Sequence, residues 1–227
     1  ACLSPTNVRF RAAGTLGING KYERFSPLTN IKRSLEEAIE DGCHTAEAVG
    51  DDETFVKLVS LVANYDIAMG FVPVHDSSVW ARIFDLPTLE KSVETLSKRL
   101  MKKLDLGKIN QSYFIGSVIF PATNDLKIFC DEKYTVSTHR SKTQAGVYNI
   151  LNVELGRAPF YDPEDGKLDL LVESEPARGF QKIFRKTLPS PTHLFIKKAK
   201  ITSSVPVPLR VDGHLILKTP AQIEIKP

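Results

Sequence analysis

The strongest constraint on the fold is a change of hydrophobic grammar near Leu104. Before it, helix and strand patterns alternate. Ser26 and Pro27 read as an N-cap and first-turn proline, Ile31, Leu35, Ala38 and Ile39 keep one helical face apolar, and Gly42 ends the run. Thr45 to Val49 is a strand candidate, a helix follows from about Glu53 to Asn64, and an apolar strand from Ile67 to Val72 stops at Pro73. Leu89, Val93, Leu96 and Leu100 then repeat at helical spacing. Such alternation predicts a parallel sheet covered by helices. After Leu104, short β-rich runs take over: Tyr113 to Phe120, Leu126 to Cys130, Tyr134 to Thr138, Gly146 to Val153, Leu168 to Val172, His193 to Ile201, Pro208 to Val211 and Gln222 to Ile225. Asp, Asn, Gly and Pro turns separate them, which predicts an antiparallel sandwich. The fold class is therefore α/β plus all-β: a three-layer α/β domain over residues 1–104, its first twenty or so residues irregular, and a β-sandwich domain over 105–227. The default site is a cleft between the two.

Charge and cysteine content narrow the function classes. Thirty basic residues against 27 acidic leave +3, too balanced to indicate nucleic acid as a partner. Local basic clusters occur at Lys98, Arg99, Lys102 and Lys103 and at Lys197, Lys198 and Lys200; each reads either as a solvated face or as a contact with an anionic membrane. Cys2, Cys43 and Cys130 are too few and too scattered for a disulfide framework or a zinc site, so a reducing cytosol fits. Phe55 to Val74 is interrupted by Lys57, Asn64 and Asp66, and no secretory signal precedes it, so membrane work would be done peripherally, at the inner face.

Two strand-to-helix turns carry polar groups. In AVGDDETFVKLV, a strand ends at Gly50 and a helix begins among Asp51, Asp52, Glu53 and Thr54. A helix start has unpaired N–H groups and a positive dipole end, which suits phosphate. Carboxylates there serve equally as helix caps, metal holders or bases. After Pro73, VHDSSVWAR opens a second such turn with Ser77 and Ser78 as donors, and ligands of open α/β sheets bind outside the carboxyl ends of strands. Downstream, VPLRVDGHLI places Asp212 and Gly213 in a turn, where an Asp-Gly pair is also an excellent hairpin. The same holds for Asp165 and Gly166. Trp80 reads as packing under its helix, and His44, His75, His139, His193 and His214 show no ligand spacing.

The order AVGDDET, MGFVPVHDSSVWARIFDLP, KLDLGKIN, YDPEDGKLDLLV and VPLRVDGHLILKTPAQIEIKP resembles the diacylglycerol kinase catalytic-domain family, which includes bacterial lipid kinases and sphingosine kinases and is related to NAD kinases. The resemblance runs from about residue 23 to the end. It implies a nucleotide-binding α/β domain with ATP and Mg2+ at the glycine-rich turn, and a lipid alcohol as substrate in the interdomain cleft. The family's GGDGT turn falls on Gly50, Asp51, Asp52, Glu53 and Thr54, with Asp51 and Glu53 in place of two glycines. In the second loop the proline survives as Pro73, while the family's glycine, threonine, asparagine and aspartate do not, and Ser77 and Ser78 remain as donors to a nucleotide. The late DGE motif falls on Asp212, Gly213 and His214, which implies Asp212 as the base that takes the alcohol proton. The alternative implied by the altered loops is a kinase-derived nucleotide- or lipid-binding module without catalysis.

Overall fold

In the computed structural model, the described residues are 23–24, 26, 29–86, 88–138, 143–150, 161–174 and 192–227. The irregular start expected over the first twenty residues lies outside them, as do Pro27 and His139. The chain divides into two compact units, Ala1–Lys102 and Lys103–Pro227.

In the first unit, α1 (Ile31–Glu40) is capped by Asn30, whose side chain accepts from the Arg33 N–H. The cap is therefore four residues beyond Ser26, whose hydroxyl instead bonds that of Thr29. Strands β1 (Thr45–Gly50) and β2 (Ala68–Pro73) pair in parallel, Thr45 opposite Ala68 through Gly50 opposite Pro73. Between them runs α2 (Asp52–Val62), and after them α3 (Val79–Ile83) and α4 (Leu89–Ser97). Consecutive strand residues face opposite sides, and β2 uses both. Phe71 packs tilted against Phe55 of α2, ring centroids 4.7 Å apart, while a side chain on Gly70 would strike Leu96 of α4. Helices thus cover both faces, giving three layers. Trp80 is fully buried between Phe55 and Phe84, which confirms it as packing.

The periodic pattern through Leu100 overruns its helix. α4 ends at Ser97 with Lys98 as its C-cap, and Arg99 takes φ +51°, turning the backbone away before Leu100 can rejoin the buried face.

The second unit holds two six-stranded antiparallel sheets among the described residues. Its strands are β3 (Leu106–Ile109), β4 (Ser112–Phe114), β5 (Ser117–Thr123), β6 (Lys127–Cys130), β7 (Tyr134–Ser137), β8 (Thr143–Tyr148), β9 (Leu168–Ser174), β10 (Thr192–Ile196), β11 (Lys198–Thr202), β12 (Pro208–Val211), β13 (Leu215–Lys218) and β14 (Ala221–Lys226). One sheet runs β10-β9-β8-β5-β12-β13, the other β4-β3-β14-β11-β6-β7. Alternate residues of both meet in one core: Val118, Phe120, Val147, Leu168, Leu170 and Leu209 from the first, Ile109, Phe114, Ile128, Ile201 and Ile223 from the second. This is a sandwich.

Two runs that read as single strands are each two. Tyr113 to Phe120 breaks at Ile115–Gly116, where the chain leaves one sheet for the other. His193 to Ile201 breaks at Lys197 in the same way. Both corners are held by an aspartate in the left-handed region: Asp212 (φ +47°) accepts the N–H groups of Ile115, Gly116 and Ser117, and Asp131 (φ +49°) those of Lys197 and Lys198. Strands β3 and β13 had no counterpart in the apolar pattern.

Candidate functional site

The two strand-to-helix turns of the first unit lie side by side because β1 and β2 pair in register. Gly50 sits opposite Pro73, and the Val74 N–H donates to the Gly50 carbonyl at 2.9 Å. A Cβ on Gly50 would lie 2.7 Å from the Thr54 Cβ, so only glycine lets the helix start so close to the strand. Asp51 is the N-cap of α2, and its Oδ1 accepts both the Thr54 N–H (2.9 Å) and the Thr54 hydroxyl (2.7 Å). Asp52 reaches across to the second turn. Its carboxylate accepts the Ser78 hydroxyl in a short hydrogen bond and the Val79 N–H at 2.9 Å. Ser78, nearly buried, in turn caps α3 by accepting the Ala81 N–H. Glu53 pairs with Lys57 one helical turn on, at 2.6 Å, and Ser77 is exposed.

Of the residues expected at a nucleotide site in this unit, Asp51 and Thr54 therefore bond each other, as do Asp52 and Ser78, while Glu53 turns to Lys57 and Ser77 to solvent. The Thr54 N–H and hydroxyl point at the Asp51 carboxylate, where a phosphate oxygen would need them. A phosphate charge 4 Å from a carboxylate meets about 1 kcal/mol of repulsion in water and several times that in a shielded site. The Asp51–Thr54 arrangement does not fit a triphosphate as it stands. Among the described residues, no three His, Cys, Asp or Glu side chains gather as ligands for a metal ion.

Asp212, the expected base, occupies the second unit's corner. It is fully buried, with Oδ1 accepting from Gly116 (2.8 Å) and Ser117 (2.7 Å) and Oδ2 from Ile115 (2.9 Å). Burial pushes its carboxyl up to about 6, while the three N–H bonds and His214 pull it down. An acceptor hydroxyl would have to displace backbone donors to reach it. Asp165 closes the other Asp-Gly turn, accepting the Lys167 N–H at 2.9 Å, and Gly166 has φ +70°.

One polar pair escaped the spacing rules. His193 on β10 meets Asp169 on β9, with Nε2 2.5 Å from Oδ1. Burial raises the Asp169 carboxyl and the hydrogen bond from His193 offsets part of that rise. Beside it, Tyr148 stacks on Tyr161 at 5.1 Å and Phe195 lies against the imidazole at 4.8 Å. The only sequence signal was that both residues sit in alternating strands, which gives no hint of their pairing.

Comparison with protein-family models and with curated proteins finds no match. Solved structures do match. A protein from Bacillus anthracis strain Sterne, provisionally named a diacylglycerol kinase, superposes with a TM-score of 0.74 at 17% identity, over 96% of this chain and 86% of that one. A second, described as a diacylglycerol kinase from the same strain, gives 0.71 at 18% identity over 98% and 85%. A third, again provisionally named, gives 0.70 at 19% over 89% and 81%. The fold is that of a diacylglycerol kinase. At this identity the fold is what is shared.

Proposed function

We propose that this chain is a kinase-derived binding module that does not transfer phosphate. The observation that supports this reading is the start of α2, where Asp51 takes the donors a phosphate would use. The lipid alcohol is then the ligand class retained, and ATP with Mg2+ is not held. The test is thermal denaturation with each ligand beside a transfer assay using labelled ATP, Mg2+ and a panel of lipid alcohols. A ligand that binds only the native state raises the midpoint by mass action. The module predicts a rise with a lipid alcohol, none with ATP and Mg2+, and no labelled lipid. Transfer to any lipid overturns it.

A second reading, an ATP-dependent lipid kinase, is favoured by one observation. Asp52 and Thr54 keep the acidic and hydroxyl positions of the GGDGT turn, and Asp52 binds the two loops into one frame. It predicts both an ATP–Mg2+ midpoint shift and transfer in the same assays.

A further inference from the structure

The carboxylates at the expected positions are occupied. Asp212 is enclosed by three backbone N–H groups, and Asp51 and Asp52 are turned to Thr54 and Ser78. A different acceptor stands on the second unit. Phe195, Asp169 and Tyr148 lie opposite one another on β10, β9 and β8, and His193 lies opposite Leu171, two residues further along both strands. Directly opposite residues share a face. Their chain neighbours Ile196, Leu170 and Val147 enter the core, so these side chains occupy the sheet face away from it. His193 crosses the diagonal between the two rows to reach Asp169, a span that a long side chain can bridge.

A carboxylate can only accept, so Asp169 fixes the ring proton of the neutral imidazole on Nε2 and leaves the lone pair on Nδ1. Asp169 is buried, whereas the His193 side chain is 42% exposed, and among the described residues its Nδ1 has no hydrogen-bond partner. That nitrogen can take a hydrogen bond from a hydroxyl and has no donor to offer a phosphate. Its surroundings are apolar: Tyr161 meets the imidazole edge-on at 6.3 Å, Phe195 tilts against it at 4.8 Å while staying 56% exposed, and Leu171 is half-buried. A single hydroxyl on an apolar body fits such a place. Resting on the lipid-alcohol reading above, we propose that His193, oriented by Asp169, accepts the hydroxyl hydrogen bond of the lipid alcohol, with Tyr161, Phe195 and Leu171 against the apolar part. The hydroxyl acceptor of this chain is then an imidazole on the sheet face, and Asp212 keeps a structural role.

The probes are dioctanoylglycerol and propylene glycol dioctanoate, the same diester without its free hydroxyl, each titrated into the full chain below its micelle concentration and followed by calorimetry. Wild type should bind the alcohol about fivefold more tightly, the contribution of one net hydrogen bond. His193→Gln should bind both probes equally, at the affinity wild type shows for the diester. Its amide still donates to Asp169 but brings no lone pair to the Nδ1 position, so its melting temperature should be unchanged. In wild type, NMR of the ring nitrogens should show Nδ1 of His193 shifting with the alcohol and not with the diester, a readout that needs no variant. A preference that survives His193→Gln, equal affinity of wild type for both probes, or ring nitrogens that respond alike to both overturns the assignment to His193 and leaves lipid binding standing. Absence of binding by both probes overturns the assignment and the lipid-alcohol reading together.

Discussion

Replacing Asp212 by glycine separates a structural from a catalytic role. Glycine adopts φ +47° without strain, so the loss reports the carboxylate. Three buried N–H groups, of Ile115, Gly116 and Ser117, lose their acceptor. At roughly 2 kcal/mol for each orphaned donor the cost is about 6 kcal/mol. Against this, the variant no longer buries a charge. The carboxyl titrates near 6 in the fold against an ordinary 3.8, and at about 1.4 kcal/mol per pH unit that relief is about 3 kcal/mol at neutral pH. The net destabilisation at pH 7 is therefore about 3 kcal/mol. The raised carboxyl contributes stability that is fully present below pH 4 and is lost as pH rises through 6. Hence the gap between wild type and variant should widen to about 6 kcal/mol at pH 4. Urea denaturation at the two pH values measures both gaps. A gap below 1 kcal/mol at pH 7, or one that grows with pH, refutes the reasoning. A base exposed to substrate would instead give lost transfer with stability unchanged.

Glycine at both altered turn positions, Asp51→Gly with Glu53→Gly, should strengthen ATP–Mg2+ binding about fivefold, from removal of roughly 1 kcal/mol of repulsion, as read by calorimetry. The same variant should melt slightly lower, since glycine at the N-cap costs about 0.3 kcal/mol and glycine inside α2 roughly 0.5 kcal/mol more. Asp52→Ala removes the acceptor for both the Ser78 hydroxyl and the Val79 N–H and should cost about 2 kcal/mol in thermal denaturation; a neutral result would mean the two turns are not bridged in solution. Gly107→Ala places a Cβ 2.0 Å from the Phe114 ring, so β3 and β4 must separate, with an expected loss of about 3 kcal/mol or more in urea titration.

What was legible in the sequence were elements whose signals lie within a few residues. Strand β1, the turn at Gly50 and helix α2 stand within a residue or two of their sequence reading, because a glycine, a capping aspartate and a helical apolar face act locally. Strand β12 was read with its own bounds, Pro208 to Val211. The runs across Ile115 and Lys197 were misread because alternation records which residues are apolar and does not record which sheet they join. What marks those corners is a carboxylate nearly a hundred residues away in one case and 66 in the other. The site followed the same division. Gly50 to Thr54 and Ser77 to Ser78 could be named from local chemistry, but whether their groups were available could not.

By itself the sequence determined the alternation of strand and helix from β1 to α4, the switch from α/β to β at mid-chain, and the acidic residues in the first turn. All of these follow from backbone propensity and side-chain period over short windows. Only the tertiary structure decided that Asp212 is enclosed by three backbone donors, that Asp52 spans two turns, and that His193 meets Asp169. Burial and hydrogen-bond partnership depend on which distant residues arrive alongside, and no local pattern encodes that.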